Sequence, residues 1–157
     1  MIAMSSAPTA SAEAACGLLV LRLGRAFGRR LAAALESIGM RGHEFAALHL
    51  LSDSGLLSQQ QLSEGLRIHP SNVVGLLDAL EADGFVARTR DPADRRRHLV
   101  GLTPAGVRRL AQAQQAAIEA ERELLAPLAP SEREELNSYL GRLAAHSCGM
   151  TGCAPKC

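Results

Sequence analysis

From Leu19 to Ile38 the apolar positions Leu19, Leu23, Phe27, Leu31, Leu35 and Ile38 recur at intervals of four, four, four, four and three. That spacing draws one continuous apolar stripe along a helix. Arg22, Arg25, Arg29 and Arg30 fall largely off the stripe, so the helix is amphipathic and has one side to bury. Gly39 and Gly42 end it, and residues 1–12, mostly Ala, Ser, Thr, Pro and Met, read as a flexible arm. No apolar run approaches the roughly 20 residues of a membrane span. Met1 to Cys16 has no basic residue and no long apolar segment of the kind a secretory signal needs. The expectation is a cytoplasmic protein without membrane contact. At 157 residues, 47% hydrophobic and 21% charged, the chain is long enough for a real core without disulfide or metal support.

The rest of the chain is divided by strong local signals. Glu44 to Leu51 reads as a short apolar helix, closed by Ser52, Asp53, Ser54 and Gly55. Ser58 with Gln61 makes a capping box that opens a helix through about Leu66. After a break at Ile68-His69, Pro70 suits the first turn of another helix. That helix places Val73, Leu76, Leu77 and Leu80 inside and stops at Gly84. Two short helices joined by a tight break, the second polar at its start, read as a helix-turn-helix. Phe85 to Arg90 and Arg97 to Leu102 are strand-compatible and flank the turn-rich Asp91-Pro92-Ala93-Asp94-Arg95-Arg96. Thr103-Pro104 starts a helix to about Ala126 with Val107, Leu110, Ala117, Ile118 and Leu124 on one side. Ser131 with Glu134 reads as a second capping box, opening a last helix with Leu136, Leu140 and Leu143. The tail from Cys148 to Cys157 reads as irregular.

The fold class expected is mainly α with a small β-hairpin wing: a winged helix-turn-helix plus a helical dimerisation domain. The divisions are 1–12 as arm, 13–40 with 104–147 as dimerisation domain, 41–103 as winged helix-turn-helix and 148–157 as Cys-rich tail. The outer helices are too long and too apolar to stand alone, and a second copy of the chain is the simplest partner.

Charge adds a functional direction. Between Phe85 and Arg109 stand seven basic residues and two acids, a local excess of five, in a chain whose net charge is only +1. From Leu110 to Ser147 six Glu outnumber three Arg. One concentrated basic segment suggests a polyanion contact confined to it. Ser71 and Asn72 open the helix that would enter a major groove, where Asn pairs bidentately with adenine and Ser with either kind of base edge. Arg95, Arg96 and Arg97, at the hairpin tip, have the reach for a narrow minor groove, and Arg88 and Arg90 would flank phosphates.

The run Asp91-Pro92-Ala93-Asp94-Arg95-Arg96-Arg97, followed by Leu102-Thr103-Pro104-Ala105-Gly106, resembles the wing and following helix start of the MarR family of bacterial transcriptional regulators. The likeness extends through Leu57-Ser58-Gln59-Gln60-Gln61-Leu62 and Leu80-Glu81-Ala82-Asp83-Gly84-Phe85-Val86, and covers roughly residues 15 to 147. It implies a homodimer on a pseudo-palindromic operator in double-stranded DNA, usually repressing, with the first, fifth and sixth helices as dimer domain. It also implies that Asp94 holds the wing's shape and Arg96 reaches the groove. One departure stands out: Ile68 to Gly84 holds no Lys or Arg, and Gly75 stands where many relatives have a basic residue. Base readout is then sparse, and the wing carries more of the affinity.

Control is read on three lines. The resemblance implies a small phenolic or other aromatic effector, in a pocket bordered by the first, second and fifth helices, with Arg22, Phe27, His43, Phe45 and His49 as candidates. Alternatively the two Phe belong to the core and the His to ordinary surface. A thiol switch would use Cys16 or the C-terminal Cys148, Cys153 and Cys157, although Cys16 lacks the aromatic neighbours of the family's hydroperoxide sensors. His146-x-Cys148-x4-Cys153-x3-Cys157 does not have the spacing of a zinc knuckle, so no metal or cofactor is expected. No G-x-S-x-G, H-E-x-x-H, P-loop, dinucleotide fingerprint or C-x-x-C is present, and no catalytic residue is assigned. The readings weighed are a ligand-released repressor, a redox-sensing regulator and a helical interaction protein that does not bind DNA.

Overall fold

The computed structural model describes residues 10–92, 94 and 97–150, with side chains described over 16–92, 94 and 97–146. The element order is α1 (Ala10–Ser37), α2 (Gly42–Ser54), β1 (Leu57–Ser58), α3 (Gln59–Leu66), α4 (Pro70–Ala82), β2 (Val86–Arg90), β3 (His98–Leu102), α5 (Pro104–Leu124) and α6 (Pro130–Met150). The chain is mainly α with one small antiparallel sheet, and forms two compact units, Met1–Glu121 and Arg122–Cys157.

Helix ends follow the local chemistry. At the start of α3, Ser58 Oγ accepts the Gln61 amide at 3.2 Å and Gln61 Oε1 accepts the Ser58 amide at 2.8 Å, the reciprocal box read from sequence. Helix α4 closes with Gly84 at φ 72, the Phe85 amide bonding to Leu80 O at 2.8 Å and the Gly84 amide to Glu81 O at 2.9 Å. That is a Schellman closure, which demands a left-handed residue and so favours glycine. Three boundaries differ from the sequence reading. Helix α1 is already formed at Ala10, within the arm, and α6 runs past Cys148 to Met150. Both stretches lack proline, and Ala-rich sequence at 10–15 propagates a helix well. Helix α6 begins at Pro130 instead of after Ser131: Glu132 Oε2 accepts the Ala129 amide at 2.7 Å, half of a capping box two residues earlier, and Ala129 offers no side-chain acceptor in return. Pro130 decides this, because its fixed φ and missing N–H suit the first helical position.

The sheet has three strands in the order β1-β3-β2, not two. Arg88 pairs with Val100 and Arg90 with His98 in the hairpin, while Leu57 pairs with Val100 from the other side. Strand β1 is two residues long and depends on a partner more than 40 residues away, so no local pattern announces it. The core gathers Leu35 of α1, Leu48 and Leu51 of α2, Leu62 of α3, Val73, Leu77 and Leu80 of α4, Val86, Val100, and Leu110 and Ala113 of α5. Helix α5 therefore turns Gly106, Leu110, Ala113 and Ala120 inward, whereas Val107 and Ile118, expected on the same side as Leu110, are exposed. The α1 stripe also divides. Leu35 is buried and Phe27, Leu31 and Ile38 are half-buried, but Leu19 and Leu23 are each 52% exposed, with Leu18, Val20 and Leu21 exposed beside them.

The wing is fastened to α5 by backbone contact. Thr103 caps α5 through Oγ1, which accepts the Gly106 amide at 3.0 Å and donates to Gly84 O at 2.7 Å. Its own amide bonds to Phe85 O at 3.0 Å. A Cβ at Gly106 would stand 2.0 Å from Phe85 O, so only glycine fits. At Gly75 a Cβ would meet nothing within 4 Å among the described residues, and the site is exposed on α4, so an added methyl group has room. The same substitution is thus expected to have opposite signs. Gly106→Ala should cost about 2–3 kcal/mol by overpacking a site that cannot give, and Gly75→Ala should gain about 0.5–1 kcal/mol from helix propensity. Urea midpoints at unchanged slope measure both; a Gly106→Ala midpoint equal to wild type would contradict the packing described.

Candidate nucleic-acid interface

The turn between α3 and α4 is set by backbone geometry. Arg67 ends α3 in the left-handed region at φ 53, the Ile68 amide returns to Ser63 O at 3.2 Å, and the buried Ser63 donates its hydroxyl to Ile68 O at 2.7 Å. His69 then caps α4: Nδ1 accepts the Ser71 amide at 3.3 Å and lies 2.8 Å from Ser71 Oγ. Ser71 is exposed at this end of the helix, where its hydroxyl can donate or accept. His69 is a capping residue that the sequence does not announce, since a His before Pro gives no recognised cap signal. Asn72 is exposed next to Ser71, and Gly75 and Asp78 continue the face of Ser71 at helical spacing.

The face carries no cation of its own, and Asp78 makes it acidic. Arg88 on β2 answers this charge from below. Its Nη2 lies 2.6 Å from Asp78 Oδ1, its Nη1 lies 2.5 Å from Glu81 Oε2, and its amide donates to Glu81 Oε1 at 3.3 Å. Desolvation acts to lower the Arg88 pKa, but the hydrogen bonds to Asp78 and Glu81 outweigh it and hold the guanidinium above its ordinary value. Arg88 was expected beside phosphates. It is instead engaged by two carboxylates of α4, and its described role is to lock the wing strand to the helix it follows.

The wing turn is closed by the Asp91 amide on Arg97 O at 3.0 Å and the Arg97 amide on Asp94 O at 2.9 Å. Arg90 and Arg97 are exposed at the two ends of this turn, one leaving β2 and the other entering β3. Asp94 is exposed between them, and its carbonyl is part of the turn. Arg95 and Arg96 lie outside the described residues.

A second cation organises the base of the wing. Arg109 on α5 donates through Nη2 to Ile38 O at 2.6 Å and Gly39 O at 3.0 Å, and lies 5.7 Å above the Phe85 ring. It joins the end of α1, the start of the wing and α5. In the sequence it is one more member of a basic segment, and its partners are about 70 residues away.

The ligand candidates are only partly brought together. An open groove of about 520 Å³ is lined by α1 (Gly28, Leu31, Leu35), α2 (Phe45, His49, Asp53) and α3 (Gly65, Leu66), with Phe45 edge-on to His49 at 5.9 Å. His49 Nδ1 is 3.1 Å from Asp53 Oδ2. Arg22, Phe27 and His43 are not among its lining residues, and α3 borders it where α5 was expected. Arg22 lies beyond the lining stretch of α1, and His43 is exposed on α2. Cys16 is a free, exposed thiol on α1. Cys148 falls on α6, its side chain outside the described ones, and Cys153 and Cys157 lie outside the described residues altogether. Among the described residues no three His, Cys, Asp or Glu side chains cluster as a metal site, and no helix is long and apolar enough to cross a membrane.

Comparison with known proteins agrees with this architecture. The model of the MarR family matches residues 43–98. The HTH-type transcriptional repressor Rv2887 of Mycobacterium tuberculosis is 31% identical over 134 residues, covering 85% of this chain and 96% of that protein. A putative transcriptional regulatory protein for the hcr operon of Thauera aromatica is 32% identical over 99 residues, 63% of this chain; the match spans only 60% of that relative's length. A probable transcriptional regulator from Pseudomonas aeruginosa is similar in structure with a TM-score of 0.64 and 32% identity, over 81% of this chain and 95% of that one. BpsR of Bordetella bronchiseptica, whose DNA binding is regulated by 6-hydroxynicotinic acid, is similar with a TM-score of 0.65 and 26% identity, over 82% and 91% of the two chains.

The Arg88 lock is directly testable. Arg88→Met removes both ion pairs and, because the Asp78 and Glu81 side chains are 58% and 38% exposed, should lower stability by about 1 kcal/mol or less. Adding Glu81→Gln removes one of the stranded charges and should recover part of that loss in the same denaturation experiment. No recovery would mean that the cost lies in packing and not in the ion pairs.

Proposed function

Because this chain belongs to the MarR family of transcriptional regulators, we propose that it binds a pseudo-palindromic DNA operator as a homodimer and represses until a small ligand releases it. The observation that carries the DNA reading is the pairing of two exposed features on one winged helix-turn-helix. These are the start of α4, with Ser71 and Asn72 accessible to base edges, and a wing whose turn presents Arg90 and Arg97 to solvent. With Arg88 held by Asp78 and Glu81, the free positive charge belongs to the wing. The α4 face reads bases through neutral groups, and Arg90, Arg95, Arg96 and Arg97 supply phosphate and minor-groove attraction. Asp94 shapes the turn from which they project.

The dimer reading rests on the open apolar half of α1 and on Val107 and Ile118 of α5, a surface that water alone does not satisfy. A twofold pair of winged helices then meets half-sites about 34–36 Å apart. For the effector, the groove beside Phe45 and His49 has the volume of a small-molecule site. BpsR, similar in fold, responds to an aromatic acid. The thiol-switch alternative has Cys16 as its described thiol and is tested in the same titration by Cys16→Ser.

Fluorescence anisotropy on duplexes from the chain's own upstream region, at two salt concentrations, tests the reading. Wild type should bind with two protomers per site and with an affinity that falls steeply with salt. Arg96→Ala should weaken binding at least tenfold, and Gly75→Ala only mildly despite its gain in stability. Equal affinities for wild type and Arg96→Ala would remove the wing from the interface, and absence of specific binding would favour the interaction-protein reading. Ala46→Phe, which fills the groove, should leave DNA affinity unchanged and abolish release by 6-hydroxynicotinate or a related aromatic acid.

A further inference from the structure

A second cleft, of about 320 Å³, opens where α5 meets the base of the wing, lined by Phe85, Ala105, Arg108, Arg109 and Gln112. Its lining holds two guanidinium groups and no carboxylate. Arg88 is paired with Asp78 and Glu81 and Arg41 with Glu44, whereas no carboxylate is among the lining residues of this cleft. Arg108 is exposed and has no hydrogen-bond or ion-pair partner among the described residues. Arg109 donates to the carbonyls of Ile38 and Gly39 and to Gln112 Oε1 at 3.3 Å, all neutral acceptors. Its Nε is buried with no acceptor among the described residues. A buried charged donor left without an acceptor is costly, and two unneutralised guanidiniums in one cleft repel each other.

An oxyanion in the cleft answers the two unneutralised charges, through Arg108 and the Nη groups of Arg109. The planar guanidinium fork matches carboxylate and phosphate oxygens, and a charge-assisted bond is about twice as strong as one to a neutral carbonyl. From this geometry we propose that the cleft is an anion site, taking the carboxylate or phosphate group of a small molecule between Arg108 and Arg109. It is distinct from the groove on α1, α2 and α3, with which it shares no lining residue. Occupancy has a structural consequence, because an oxyanion on Arg109 competes with the Ile38 and Gly39 carbonyls for the same donors. The site therefore acts on the tie between α1 and the wing base.

Thermal unfolding of the full chain tests the proposal with two probes, sodium benzoate and inorganic phosphate, at constant ionic strength made up with chloride. Either probe should raise the wild-type Tm saturably, by about 3 °C or more at a large excess over its Kd. The rise should be lost in Arg108→Gln, a variant of an exposed, unpartnered side chain that leaves the fold intact. Response to benzoate alone assigns a carboxylate ligand, response to phosphate alone a phosphate ligand, and either supports the site. No saturable rise in wild type overturns it. So does a rise of the same size in Arg108→Gln, since the anion would then be held elsewhere, in the Phe45 groove or on the surface. None of these outcomes involves DNA, so failure here leaves the operator reading to its own experiment.

Discussion

Much of the first unit depends on the backbone at Phe85. Its amide closes α4, its carbonyl receives the Thr103 amide, and its oxygen occupies the space a side chain at Gly106 would need. Its ring lies under Arg109, which in turn holds the last carbonyls of α1. One residue thus joins α4, the wing, α5 and the end of α1, and its approach to Gly106 leaves no room for a side chain. Close packing of this kind transmits a displacement instead of absorbing it.

The electrostatic arrangement is separated in the same way. Local charge counting treats the segment from Arg88 to Arg109 as one basic patch, yet its members have different tasks. Arg88 neutralises α4 and fastens β2 to it, Arg109 braces the wing base, and Arg90 and Arg97 remain exposed around the turn. In the proposed DNA interface, charge attraction would come mostly from the wing while α4 would make neutral contacts, so specificity would rest on shape and a few base-edge bonds.

Where the structure departs from sequence reasoning, the cause is a partner distant in the chain. Ser58 with Gln61, Pro70, Gly84 and Thr103 act within four or five residues, so their caps and stops were legible. The box at Ser131 was legible too, but misplaced, because Pro130 competes for the same helix start and has the stronger backbone preference. Strand β1, the Arg88 lock, the Arg109 brace and the inward face of α5 all involve residues from other elements. Of the pocket candidates, Phe45 and His49 line the groove while Arg22, Phe27 and His43 do not, because the groove is bounded by how α1, α2 and α3 cross.

By itself the sequence determined the helices, the winged helix-turn-helix order, the hairpin tip rich in Arg and the family, because periodicity, capping and turn chemistry are short-range and leave a pattern in adjacent residues. Only the tertiary structure decided which arginines are free and which are bound, which side of α5 is core, and where the two cavities open. Those properties follow from distances between atoms far apart in the chain, and a guanidinium in isolation carries no mark of the carboxylate or carbonyl it will meet.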